Sequence, residues 1–202
     1  MLPGSHARNV LGSLDPRSLR PEEELPDLTD DEGDSELAVL LVPDADGAAR
    51  GTLMRALRGH EACVGPARAW MSVRVSYLRV LRTRRRYPPT RGGSPVDTEQ
   101  HLTTLVVGSD PEALADLRRQ VLVPFDGLRP AAAERLVETL REWLLQQGRR
   151  DDVASALHVH PQTVRYRMGR IRELFGDRLN DPDVVLALTV ALASDPPAAR
   201  PA

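Results

Sequence analysis

A single cysteine, Cys63, stands among 202 residues, so no disulfide can close within the chain, and this usage fits a reducing compartment. Cys63 itself reads as a small buried hydrophobe beside Val64. Aromatic residues make up only 3% of the chain although hydrophobic residues reach 41%, so aliphatic side chains must supply most of the core. No apolar run approaches the roughly 20 residues that span a bilayer, so no membrane partner is expected. The N-terminus lacks a cationic start leading into a hydrophobic stretch, which argues against a secretory signal. A cytoplasmic protein is expected. There are no internal repeats and no glycine-rich phosphate loop. His158 and His160 lie two apart on a turn, without a cysteine or carboxylate cluster at metal-binding spacing. Ser72 and Ser76 fall on a helix with no obvious base, which leaves nucleophilic catalysis unsupported. Neither an enzyme, nor a metal site, nor a cofactor is expected. The net charge of −2 denies the chain a global basic footprint.

What is present is concentrated in Arg150–Phe175, RDDVASALHVHPQTVRYRMGRIRELF. The first half predicts a short helix over about Asp151 to Leu157. Asp151 and Asp152 sit at its start, where carboxylates cap free N–H groups and favour the positive end of the dipole. Val153, Ala154 and Leu157 form its inner side, and Ala154 is small enough for a second helix to approach closely. His158-Val159-His160 is the turn, with Val159 pointing inward. The second helix begins at Pro161, whose fixed φ and missing N–H suit the first helical position. Val164, Met168, Ile171 and Phe175 recur at spacings of four, three and four and predict one buried face, widened by Leu174. His160, Gln162, Thr163, Arg165, Tyr166, Arg167 and Arg170 lie outside that face. Two helices joined by a tight turn, the second carrying a polar and cationic outer side, are the design of a helix-turn-helix for the DNA major groove. Gln162, Thr163 and Tyr166 occupy the turns that reach base edges, and the arginines suit phosphates and guanine edges. The partner is double-stranded DNA, and a module this small reads two half-sites as a homodimer. An ordinary amphipathic helix with a solvated basic face is the competing reading. A helix-turn-helix that docks on another protein is a further one.

The run from Leu157 to Leu192 resembles the C-terminal domain of PucR-type transcriptional regulators, which include purine-catabolism and sugar-diacid regulators. The family hallmark L-x-V-H-x-x-T-V-x-Y-R is met by Leu157, Val159, His160, Thr163, Val164, Tyr166 and Arg167. Its following L-x-D-P segment and last helix are met by Leu179, Asp181, Pro182 and the apolar run Val184 to Leu192. The resemblance implies a Fis-like DNA-binding domain over 128–194. More weakly, over 37–127, it implies a middle domain related in fold to GGDEF domains but without their catalytic motif. LAVLLVPDADG, the ACVGP turn, the helix from Trp70 to Ser76 and EQHLTTLVVGSDPEAL stand in the order expected of it.

The remaining chain predicts an α+β fold, mostly α. Residues 1–36, poor in apolar side chains and acidic from Glu22 to Glu36, read as a disordered tail. Leu37 to Val42 reads as a buried strand closed by Pro43-Asp44. Ala48 to Leu57 reads as a helix, Ala62 to Val64 as a short strand, and Ala69 to about Arg86 as a helix. That last helix is expected to pack Trp70, Val73, Tyr77, Val80 and Leu81 on one side. Its basic end, RTRRRYPP, is explained by the helix dipole, with an auxiliary DNA contact as the other option. Arg91 to Pro95 is a loop, in which Gly92-Gly93 lacks the carboxylates of a cyclase signature. His101 to Val107 is a helix or turn, and Ser109-Asp110-Pro111-Glu112 starts another helix. Ala131 to Gln147 predicts a helix packing Leu136, Leu140, Trp143 and Leu144. Pro182 to about Ala193 predicts an apolar helix that packs on the bundle or on a partner subunit. Residues 195–202 read as a frayed tail.

Overall fold

The computed structural model describes residues 1–21 and 37–193. The chain divides into two compact units, Met1–Leu105 and Val106–Ala202. The mostly helical α+β class expected from the sequence is what the structure shows.

In the first unit, strand β1 (Leu2–Pro3) leads directly into helix α1 (Gly4–Leu11) and pairs antiparallel with strand β2 (Leu37–Ala38). Helix α2 (Gly47–Ala56) follows, then strand β3 (Cys63–Val64). A 3-10 turn at Trp70–Ser72 opens helix α3 (Val73–Arg86), and strand β4 (Val96–Asp97) returns parallel to β3. Leu2, Val10, Leu53, Leu57, Ala62 and Val64 make the core, which is aliphatic as the aromatic shortage requires. Cys63 is fully buried; burial pushes its thiol up to about 11, as expected of a structural residue.

Three expectations for this unit are corrected. Residues 1–21 are not a tail: Leu2, Ala7 and Val10 are each only 1% exposed. Nine of the ten carboxylates in residues 1–36 lie from Glu22 on, and averaging over 36 residues hid the apolar spacing before it. The rest of that expected tail, 22–36, and the expected tail at 195–202 lie outside the described residues. The strand expected over Leu37 to Val42 shrinks to β2 plus an isolated bridge between Leu41 and Leu19. Trp70 is 65% exposed rather than packed, because the 3-10 turn takes it off the helical register that buries Val80 and Leu81. Strand β4, which sequence reading did not find, carries the half of an ion pair that organises the unit. Arg50 on α2 donates from Nε to Asp97 Oδ2 at 3.0 Å and pairs again through Nη2. Its Nη1 donates to the Gly65 carbonyl at 2.9 Å.

The second unit holds α5 (Pro111–Leu122), α6 (Pro130–Leu145), α7 (Arg150–Ala156), α8 (Pro161–Phe175) and α9 (Pro182–Ala193). The division between the units falls inside α4 (Leu102–Val107), not at the expected 127/128 boundary. The reason is packing: Val121 and Phe125 share one core with Leu136, Leu140, Leu188 and Leu192. Phe125 meets Phe175 edge-on, with ring centroids 5.4 Å apart. The Arg141 guanidinium donates to the Leu192 carbonyl at 3.2 Å, a cation at the negative end of α9.

Two outcomes test the first unit. A Cβ on Gly65 would stand 2.9 Å from Val80 Cγ2 and 3.1 Å from the Ser76 carbonyl oxygen. Gly65→Ala should therefore cost about 1–3 kcal/mol in urea unfolding. Burial pushes the Asp97 carboxyl up, but the Arg50 hydrogen bonds, the Glu99 N–H and the charges of Arg50 and His101 outweigh it and hold it below 3.8. That contribution is present above the unfolded value and lost as pH falls through the folded one. Asp97→Asn should thus flatten the decline in stability below about pH 4, measured by denaturation across an acid series.

Candidate nucleic-acid interface

The geometry of the helix pair is set first by backbone. Leu157 closes α7, and His158 adopts a left-handed conformation at φ +52°. The Val159 N–H donates to the Ala154 carbonyl at 3.0 Å and the His158 N–H to the Ser155 carbonyl at 3.3 Å. This is a Schellman closure, with the side chain of Val159 turned into the core as expected. Gln147 at φ +52° closes α6 in the same way, through the Gly148 N–H to the Trp143 carbonyl at 2.8 Å. Two left-handed corners thus fix both turns around α7.

His160 is the N-cap of α8, and its Nδ1 accepts from the Gln162 N–H at 3.2 Å. One ring nitrogen of this exposed histidine thus starts the helix, a role the sequence reading did not assign beside its expected DNA contact. Asp151 and Asp152 do not cap α7. Arg149 is the cap residue, and Asp152 instead pairs with the Arg149 guanidinium at 3.1 Å. Ala154 is buried against α8, as its size predicts.

Val164, Met168, Ile171 and Phe175 are all buried, which is the stripe read from the sequence. Opposite them lies a shallow concavity lined by Gln162, Arg165, Tyr166, Gly169, Arg170 and Glu173. Tyr166 is 74% exposed and Arg165 is exposed. Thr163 is half-buried at the edge of the face. Arg170 is exposed but donates to Glu173 at 2.6 Å, so a ligand must compete with that carboxylate. Gly169 was not singled out from sequence. Its place between Arg165 and Glu173 leaves the middle of the face without a side chain, and nothing lies within 4 Å of where a Cβ would stand.

Arg167 departs from the expected role. It is half-buried, and its Nη1 donates to Thr139 Oγ1 at 3.1 Å. Thr139 is fully buried, and its hydroxyl in turn donates to the Arg135 carbonyl at 2.7 Å. Arg167 therefore ties α8 to α6 instead of standing ready for phosphate. Arg172 lies over the Trp143 ring at 5.5 Å, which confirms Trp143 as a packing residue. Every basic residue of the chain is an arginine, so each cation here is a planar, permanently charged fork.

Residues 136–194 match the PucR C-terminal helix-turn-helix domain. The matched stretch takes in both helices of the pair, α7 and α8. The chain is also similar to an uncharacterized protein in the pkwA 5' region of Thermomonospora curvata, at 35% identity over 95 residues. Those residues are 47% of this chain and 51% of that protein, so the match spans about half the length of the relative. No solved structure matches the chain.

Thr139→Val keeps the shape of the α6 site but removes the acceptor that Arg167 uses. It should lower stability by about 1–3 kcal/mol in thermal unfolding, while Arg165→Ala at an exposed position should change it by less than about 0.5 kcal/mol.

Proposed function

We propose that this chain is a DNA-binding transcriptional regulator whose helix α8 enters the major groove in the Fis-like manner and reads sequence there. The observation that carries the reading is the outer face of α8. Gln162, Arg165 and Tyr166 project from its first two turns, opposite a fully buried stripe. A helix of 15 residues is about 22 Å long, and its N-terminal turns are the ones that meet base edges in this motif. Arg165 carries direct readout, as a guanidinium that can donate twice to guanine. Gln162 and Tyr166 bracket it, Thr163 contacts the groove wall, and Arg170 neutralises phosphate after releasing Glu173. His160 and Arg167 act through the helix: the first sets its start, the second its seat on α6. Gly169 lets the sugar-phosphate backbone come close to the helix.

One helix pair reads one half-site, so the regulator acts as a homodimer on a two-part operator. Binding calls for no cofactor and no catalysis, and a cytoplasmic location follows from the role. The order β2–α2–β3–α3–β4 in the first unit supports a degenerate GGDEF-like middle domain.

A second reading has its own support. The described residues 106–193 carry twelve arginines against thirteen carboxylates, a formal charge of −1. A unit so balanced also suits docking on another protein. Retention on a DNA column at two salt concentrations separates the readings, because the docking reading predicts no salt-dependent retention on DNA.

Arg165→Ala should cost about 1–3 kcal/mol of discrimination between a matched and a scrambled duplex, read by gel shift. An equal loss on both duplexes would make Arg165 a phosphate contact, and no loss on either would remove it from the site. Gly169→Ala should stabilise the fold by about 0.5–1 kcal/mol yet weaken DNA binding. Tighter binding by that variant would rule out close approach at Gly169.

A further inference from the structure

Helix α3 is unlike the other helices in its charge. It carries six arginines and no carboxylate in 14 residues. Arg84 is half-buried, on the side of Val80 and Leu81. Arg74, Arg82, Arg85 and Arg86 are exposed, and Arg79 is half-exposed, on the opposite side. None of these five forms an ion pair among the described residues. Three carboxylates of the same unit are engaged elsewhere: Asp97 and Glu99 by Arg50, and Glu61 by Arg91.

This arrangement does not serve the helix. A cation in the last turn gains about 0.3–1 kcal/mol from the dipole, but Arg74 and Arg79 lie outside that turn. Arg79–Arg82, Arg82–Arg85 and Arg82–Arg86 are like-charge pairs at three- and four-residue spacing, each unfavourable by about 0.2–0.5 kcal/mol. The cationic excess is local to the helix, since residues 1–105 as a whole hold fourteen arginines against fifteen carboxylates, nine of them between Glu22 and Glu36. The helix-turn-helix unit stands at −1 over its described residues.

We propose that the arginine face of α3 is a second contact surface, blind to sequence, for the phosphate backbone of double-stranded DNA. The partner follows from charge complementarity and from the helix-turn-helix in the same chain, so its identity rests on the reading of α8. From Arg74 to Arg86 the row extends about 18 Å, the axial length of about five phosphates on one strand. Guanidinium forks on a rigid helix suit phosphate oxygens, which they can engage with two parallel hydrogen bonds. This surface adds salt-dependent attraction to that of Arg170, and α8 supplies the discrimination.

The test uses the full chain and anisotropy titrations of matched and scrambled duplexes at salt from about 50 to 200 mM. Replacing Arg82, Arg85 and Arg86 together by Gln should reduce the slope of log affinity against log salt by about 2–3 on both duplexes. The ratio between duplexes should stay unchanged, and the matching triple Lys variant should keep the wild-type slope. Arg85→Gln alone should remove about one unit of slope and serves if the triple variant does not fold. An unchanged slope in the Gln variants overturns the proposal. That is also the result if the nine carboxylates between Glu22 and Glu36 already neutralise the stripe. If that happens while Arg165→Ala still loses discrimination, α8 stands and the α3 surface falls. If the wild-type chain binds neither duplex, the reading of α8 falls as well.

Discussion

The structure depends on burying four side chains of one helix. Val164, Met168, Ile171 and Phe175 are each 3% exposed or less. At about 1.5–3 kcal/mol apiece, their transfer from water is comparable to the net stability of a whole small domain. Because they lie on one stripe, their burial fixes not only the position of α8 but its rotation. Every residue of the opposite face is thereby aimed at solvent without needing an interaction of its own. Arg167 completes the constraint from the side, by anchoring to a buried hydroxyl on α6.

Much of this unit was legible in the sequence because helical spacing and capping are local. The stripe of α8, the proline at its first turn and the small Ala154 are read directly from spacing and size. The partition of the arginines was not legible. Four lie on α8, and spacing alone makes them equivalent polar residues. Arg165 has no ion pair among the described residues and Arg170 pairs with Glu173, while the roles of Arg167 and Arg172 depend on Thr139 and Trp143, 20 or more residues away in sequence. The His160 cap was hidden for a related reason, since a histidine at that place serves either a ligand or the helix.

The first unit shows the limits of composition. Averaged over its length, the N-terminal segment is polar, yet the few apolar residues before Glu22 are the ones that pack. The two-residue strands β1 to β4 are too short to show the alternation by which strands are recognised. Asp97 was not singled out from sequence. It becomes a keystone only when β4 lies beside β3 and brings its carboxylate to Arg50.

The corner between α7 and α8 has a thermodynamic consequence. Its path is fixed by backbone hydrogen bonds from His158 and Val159, so the helix pair is set without any ligand. Little conformational entropy remains to be lost at this corner on docking. Under the DNA-binding role proposed above, calorimetry of complex formation would report solvent and counterion release, not the folding of this corner.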